Sequence, residues 1–217
     1  MRAEAGSSGE AALKGVAEAL ERRGFKAFVA RDRGEALGKV LELIPKGANV
    51  GIGGSLTVRE VGIPEALEAR GCRIVQHWIP GIPPERDMAL RREALTTDFY
   101  LTSANAITED GLIVNMDAVG NRTSAMAFGP SNVIIVAGLN KIVKDLNGAI
   151  ERIRNIAAPL NASRLKRNVP CAKEGKCVDI REGCDSPERI CRVMTIFERR
   201  PARTNVFVVL IGEALGC

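Results

Sequence analysis

The chain is poor in rings and almost without imidazole: aromatic residues make up 4% of 217 positions, with one Trp and one Tyr, and His77 is the single histidine. Few rings argue against a nucleic-acid platform, which stacks bases on aromatics set among basic side chains. Lys and Arg are instead spread along the sequence, although the formal charge is +5 and leaves room for an anionic ligand. No apolar run is long enough to span a bilayer, and the polar start MRAEAGSSGE lacks the apolar core of a secretory signal. A cytoplasmic protein with no membrane partner is expected. Neither a G-x-G-x-x-G fingerprint nor a Gly-Lys-Ser/Thr phosphate loop occurs, which removes the usual dinucleotide and nucleoside-triphosphate signatures.

Cysteine is present in one dense group. Cys171, Cys177, Cys184 and Cys191 fall within the run CAKEGKCVDIREGCDSPERIC. In a reducing compartment such a group is more often a metal or redox site than a pair of disulfides. The spacings are five, six and six intervening residues, so the short C-x2-C turn that aims two sulfurs at one zinc ion is missing. An iron–sulfur cubane takes its thiolates at separate corners and tolerates wider spacing. His77 lies far away in sequence, which favours an all-thiolate site. The expectation is a [4Fe-4S] cluster, with zinc as the alternative. Of the other cysteines, Cys72 is expected in the core and Cys217 at an exposed or frayed end.

With 46% hydrophobic residues the chain can bury a substantial core. Strand-like runs are Phe25–Ala30, Asn49–Gly53, Arg73–His77, Asp98–Thr102, Leu112–Asn115, Val133–Ala137 and Val206–Ile211. Several are apolar throughout, as strands covered on both faces are. Ser7 with Glu10 and Asp32 with Glu35 have capping-box spacing and open helices at 8–23 and 33–44. Further helices at 58–70, 86–95 and 142–157 supply the crossovers that parallel strands need. The pattern predicts a single domain over 1–217, an open, mostly parallel α/β sheet flanked by helices, with a cysteine-rich insertion at 159–192.

Ligands of such a sheet collect at the carboxyl ends of its strands. Three loops there carry candidate residues. In Gly51-Ile52-Gly53-Gly54-Ser55-Leu56-Thr57, the glycines let backbone amides approach an anion, and Ser55 and Thr57 add hydroxyls; a tight turn with Ser55 or Thr57 as N-cap explains the same residues. In the segment 102–111, Asn105 can bond a ligand oxygen and Glu109 can act as catalytic base, while Asp110-Gly111 also reads as a plain hairpin turn. In 115–123, Asn121 and Arg122 offer polar contacts to a carboxylate or phosphate, with an Arg122 salt bridge to Asp117 as the structural reading. Lys141, just past VIIVAG, is a further anion contact, and His77 has no assigned partner.

The stretches GIGGSLTVRE, LTSANAITEDGLIVNMDAVGNRTSAMAFGP, VIIVAGLNKIV and CRVMTIFERRP, with the ending VFVVLIGEALG, resemble the LUD-domain family of lactate-utilization-type proteins. The resemblance implies the fold of ribose-5-phosphate isomerases and coenzyme A transferases. It also implies a part in oxidising lactate or a related small organic acid, with iron–sulfur or flavin proteins as redox partners and a homo-oligomer as a possible assembly. Members resembling this chain carry a run like CAKTGVCVDCSSPDRIC, which matches Cys171, Cys177 and Cys191. Ile180 stands where the third cysteine would be, and an insertion containing Arg181 to Gly183 delivers Cys184 instead. A second reading is an isomerase- or transferase-like enzyme acting on a phosphorylated or coenzyme A-linked anion, its metal purely structural.

Overall fold

The computed structural model describes residues 2–217, with side chains from Gly9 onward. Its strands are β1 (Lys26–Ala30), β2 (Asn49–Ile52), β3 (Arg73–Gln76), β4 (Phe99–Thr102), β5 (Ala106–Thr108), β6 (Ile113–Asp117), β7 (Asn132–Gly138), β8 (Ile142–Val143), β9 (Val193–Phe197) and β10 (Asn205–Ile211). The helices are α1 (Arg2–Arg22), α2 (Arg33–Leu43), α3 (Leu56–Glu60), α4 (Ile63–Ala69), α5 (Pro84–Glu93), α6 (Asn121–Ala127), α7 (Leu146–Arg152), α8 (Ala158–Arg164) and α9 (Pro170–Glu174).

Six strands form a wholly parallel sheet in the order β1-β10-β7-β4-β2-β3. Because β7 is apolar along its length, its side chains serve two layers. Val133, Ile135 and Ala137 pack with Leu13, Val16 and Leu20 of α1, Leu90 of α5 and Met126 of α6. Ile134 and Val136 pack on the other face with Val40 of α2, Val58 of α3 and Leu67 of α4. Each such fully buried Val, Leu or Ile contributes about 1.5–3 kcal/mol, so this two-faced strand anchors the three-layer core.

Local signals explain the helix ends. Asp32 caps α2 by accepting from the Glu35 amide at 2.9 Å, whereas the Glu35 carboxylate reaches the Arg31 amide rather than closing the box on Asp32. Gly24, at φ +84°, ends α1 with Phe25 N–H bonded to Leu20 O and Gly24 N–H to Glu21 O, a Schellman closure. The cap expected of Ser7 concerns a side chain outside those described, and α1 already begins at Arg2. The helix expected over 58–70 is two short helices, because Gly62 at φ +77° breaks the path between α3 and α4.

Two expectations are corrected. Leu112–Asn115 does form a strand, β6, but it belongs to a second, four-stranded sheet ordered β8-β5-β6-β9 and pairs antiparallel with β5 across the Glu109–Gly111 turn. The helix expected to stop before Pro159 instead runs on through α8, by way of a π-helical turn at Ile153–Ala157 in which Ala158 N–H bonds Ile153 O, five residues back. That widened turn absorbs the proline, which has no N–H to donate. Beyond Arg164 the cysteine-bearing stretch is mostly loop, with α9 as its one short helix among the described residues.

Strand order fixes where a ligand site can lie. The chain leaves β2 toward one edge to make β3, then crosses back over β2 to make β4, so the loops after β2 and β4 diverge at neighbouring strand ends. The second sheet and the helix 146–164 close over this gap.

Candidate functional site

A cleft of about 230 Å³ opens at that switch point. Its walls are Gly54 to Thr57 after β2, His77 and Trp78 after β3, Ser103 to Asn105 after β4, Met116 to Asp117 of β6, Lys141 after β7, and the π-turn residues Ile153 and Ala157. Ser55 accepts from Val58 N–H at 3.2 Å and is the N-cap of α3, so its hydroxyl is committed to the turn. Gly54 lies against the indole: a Cβ there would sit 2.9 Å from Trp78 Nε1. The Arg59 and Arg164 guanidiniums stack on that ring, 4.3 and 4.7 Å from its centroid. Gly54→Val should therefore push Trp78 into the cleft and weaken binding of a small phosphate or carboxylate anion about tenfold or more with little loss of fold, as calorimetry and a thermal melt would show. Unchanged affinity would remove the glycine loop from the site.

At the floor of the cleft, Lys141 Nζ donates to Thr57 Oγ1 at 2.7 Å and Ser103 Oγ at 2.8 Å. Burial, reinforced by the Arg152 and Arg122 cations, lowers its pKa to about 7. The unfolded chain then binds more protons than the folded one between about pH 7 and 10.5, so this group makes stability rise with pH across that window. Urea melts of wild type and Lys141→Met at pH 7 and 9 should show the wild type gaining on the variant, by up to about 1.4 kcal/mol per pH unit. A gap that does not change with pH would contradict the buried amine.

Arg122 was expected as a fork for an anion, but it is a staple. Nη1 bonds Ser103 O at 3.0 Å and Asn115 Oδ1 at 2.5 Å, and Nη2 bonds Asn105 Oδ1 at 2.8 Å and Met116 O at 2.7 Å. With both terminal nitrogens committed, the guanidinium ties the β4 loop to β6. The salt bridge to Asp117 does not form either; Asp117 caps α6 by accepting from the Arg122 and Thr123 amides. Burial opposes its ionisation, yet Arg122 and these amides keep its carboxyl below the ordinary range. Asn105 accepts from Met116 N–H and Arg122 through Oδ1, which orients its amide and leaves Nδ2 as the free donor on the cleft wall. Asn121 also lines the cleft and accepts from Arg91 Nη1 at 3.0 Å.

Other expected residues fall elsewhere. Gly51 is buried in β2, where a Cβ would meet Ala94 O and Thr97 Oγ1 at 2.8 Å; Gly53 is pressed on the Tyr100 hydroxyl at the same distance. Both are packing glycines, away from the cleft wall. Glu109 is exposed in the β5–β6 turn, its amide bonded to Val143 O, and it does not line the cleft. The turn reading explains it, and the cleft loses its expected base. Sequence reasoning also passed over Ser103 and Arg152, and it left His77 unassigned. Burial and the Arg91 cation hold the His77 imidazole neutral, with a pKa of about 4.

The four clustered cysteines converge. Cys171, Cys177, Cys184 and Cys191 all line one small cavity of about 20 Å³, together with Arg154 and Arg189. The displaced third cysteine reaches it through a local turn: Asp179 Oδ1 accepts from the Arg181 and Glu182 amides, and Gly183 N–H bonds Asp179 O. Gly183, at φ +82°, then passes so close to the two arginines that a Cβ would lie 2.5 Å from Arg154 Nη1 and 2.9 Å from Arg189 Nη2. Burial pushes the Cys171 and Cys191 thiols up in pKa. All six cysteines are free thiols, so the disulfide alternative does not apply. Among the described residues, no three His, Cys, Asp or Glu side chains are gathered as a single metal ion requires. Four thiols line the cavity, and Arg154, 6% exposed with its Nε unpartnered, lines it beside them, a donor set of thiols with a buried cation.

The LUD domain family model matches residues 13–211. The chain belongs to this family. The match runs from α1 to the end of β10, so it takes in the whole cysteine cavity and every residue of the cleft wall except Cys217. A DUF162 family protein from Deinococcus radiodurans, known from its crystal structure, is similar over 93% of this chain and 96% of that one, with a TM-score of 0.50 and 14% identity. That likeness is one of fold. No curated protein matches the chain. Among the described residues, no helix of this LUD domain is long and apolar enough to cross a membrane.

Proposed function

We propose that this LUD-domain protein is an iron–sulfur-binding component of the oxidation of lactate or a related small organic acid. One observation carries the reading: the cleft and the cysteine cavity share a wall. Ala158, Ile190 and Cys191 line both. A ligand in the cleft and a centre held by the cysteines would be separated by the thickness of side chains.

The residues divide the work. Cys171, Cys177, Cys184 and Cys191 would hold a [4Fe-4S] cluster, which supplies one-electron transfer when bound. Arg154 and Arg189 would offset the negative charge of four thiolates around it. The stretch 178–182, between Cys177 and Cys184, is exposed, so the small cavity can widen without moving the core. In the cleft, Lys141 and the free amide of Asn105 bind the carboxylate of a small organic anion, and Trp78 with its stacked arginines shields it from water.

Anaerobic purification with a visible spectrum and metal analysis tests this. A brown protein with about four irons per chain, the count of a cubane, is the expected result. Colourless protein holding one zinc would overturn it in favour of an enzyme whose metal only staples residues 171–191.

A further inference from the structure

The redox reading uses Lys141 only as a carboxylate contact and leaves the nucleophilic chemistry of its amine unused. Nζ is enclosed, 4% of the residue being exposed, yet it sits on the wall of a cleft with room for a small acid. Its partners are two neutral hydroxyls, Thr57 and Ser103, rather than a carboxylate. Its charged surroundings include two cations, Arg152 and Arg122; Cys217, which also lines the cleft, and then Glu60 counter them, and the Glu60 carboxylate accepts from the Gly216 amide at 2.7 Å. An amine placed this way is held against protonation, which fits a pKa of about 7. Two N–H bonds to hydroxyls leave the fourth tetrahedral position of a neutral nitrogen to its lone pair. Such desolvated lysines beside other cations are the ones that attack carbonyls.

We propose that Lys141 captures a 2-oxo carboxylate in the cleft as a reversible imine. The inference rests on reading the cleft as a small-organic-anion site, and it adds the class of anion: one with a carbonyl next to its carboxylate, as the oxidation of a 2-hydroxy acid yields. The Nζ lone pair attacks the carbonyl carbon, forming the N–C bond, while the carbonyl π electrons move to oxygen, which takes a proton. The carbinolamine nitrogen then gives up a proton, the hydroxyl leaves as water, and a protonated C=N bond to Lys141 remains. One water is released and one proton is taken up from solvent, nothing is oxidised or reduced, and hydrolysis runs the same steps backwards. Ser103 and Thr57, already bonded to Nζ, relay protons between nitrogen and the departing oxygen. Asn105 Nδ2 holds the carboxylate.

Reductive trapping tests it. The full chain is incubated at pH 7 with pyruvate and cyanoborohydride, and adducts are counted by intact mass and located by peptide mapping. A single adduct on Lys141 is expected, saturating in pyruvate and suppressed by lactate, which has a hydroxyl in place of the ketone and forms no imine. Lys141→Arg should lose it, and Ser103→Ala should slow trapping at least tenfold while leaving its location unchanged. Should Lys141→Arg fail to fold, the mapping and the lactate competition decide alone. No adduct, or labelling spread over exposed lysines such as Lys144 and Lys166 at the rate seen in urea, would overturn the proposal. Calorimetry with lactate separates the two ideas. Lactate binding without trapping defeats the imine and spares the anion cleft, whereas no binding of either acid defeats both.

Discussion

Anaerobically prepared Cys177→Ala protein is expected to contain no iron, while Cys72→Ala retains the wild-type iron content. The contrast follows from position. Cys177 lines the small cavity with the other three clustered thiols, and its side chain is otherwise bonded only to Asp179 O in its own exposed loop. On the proposed reading, removing one of the four thiols would leave too few ligands to retain a cluster and would take away the thiol that ties the loop 176–184 to the rest of the cavity. Cys72 sits in the core beneath α4 with its thiol toward Pro45 O, far from that cavity. Proteolysis should cut Cys177→Ala within the loop sooner than the wild type. Equal iron in the two variants would end the cysteine assignment.

The second large effect concerns folding. Gly111 closes the β5–β6 hairpin at φ +90°, and a Cβ there would lie 2.8 Å from the Ala19 carbonyl carbon and 2.9 Å from Leu20 N. The hairpin therefore rests directly on the backbone of α1, and Arg23 fastens it by bonding Asp110 O at 2.7 Å and Asp110 Oδ2 at 2.6 Å. Alanine at 111 meets two costs: about 1–2 kcal/mol for a left-handed backbone, and the separation of two packed backbones, which raises the total to about 3 kcal/mol or more. Gly71 supplies the control. Its φ is +75° but nothing lies within 4 Å of its Cβ direction, so Gly71→Ala should show only the first cost. Urea denaturation would distinguish them, and equal losses would mean the hairpin does not bear on α1.

How much could be read from the sequence depended on the kind of signal. The strands of the parallel sheet were legible because burial on both faces makes them apolar throughout, and β7 and β10 are the clearest cases. The second sheet was largely hidden. β5 and β8 have three and two residues, and β9 alternates only weakly in exposure, so none carries a period long enough to see. β6 was visible as a strand, yet its Asp110-Gly111 turn already argued for a hairpin rather than a place in the parallel sheet.

The site divides the same way. The grouping of the four cysteines was visible in the sequence, and the structure brings all four to the wall of one cavity. Ser103 was missed although it directly follows β4 at the switch point, a position that could have flagged it. The role of Arg122 could not be read, because whether a guanidinium is free or saturated depends on the carbonyls and amides that a fold gathers around it. Arg154 had no signal at all. Only the π turn, which carries Ile153 along the cleft and Arg154 along the thiols, reveals which cavity each side chain serves.

The chain contains a single tryptophan, and it stands in the cleft wall with two guanidinium groups against its ring. The molecule thus carries its own optical reporter, free of background from other indoles. Whatever enters and shifts Arg59 or Arg164 off the ring alters the emission directly, so occupancy can be titrated without a label.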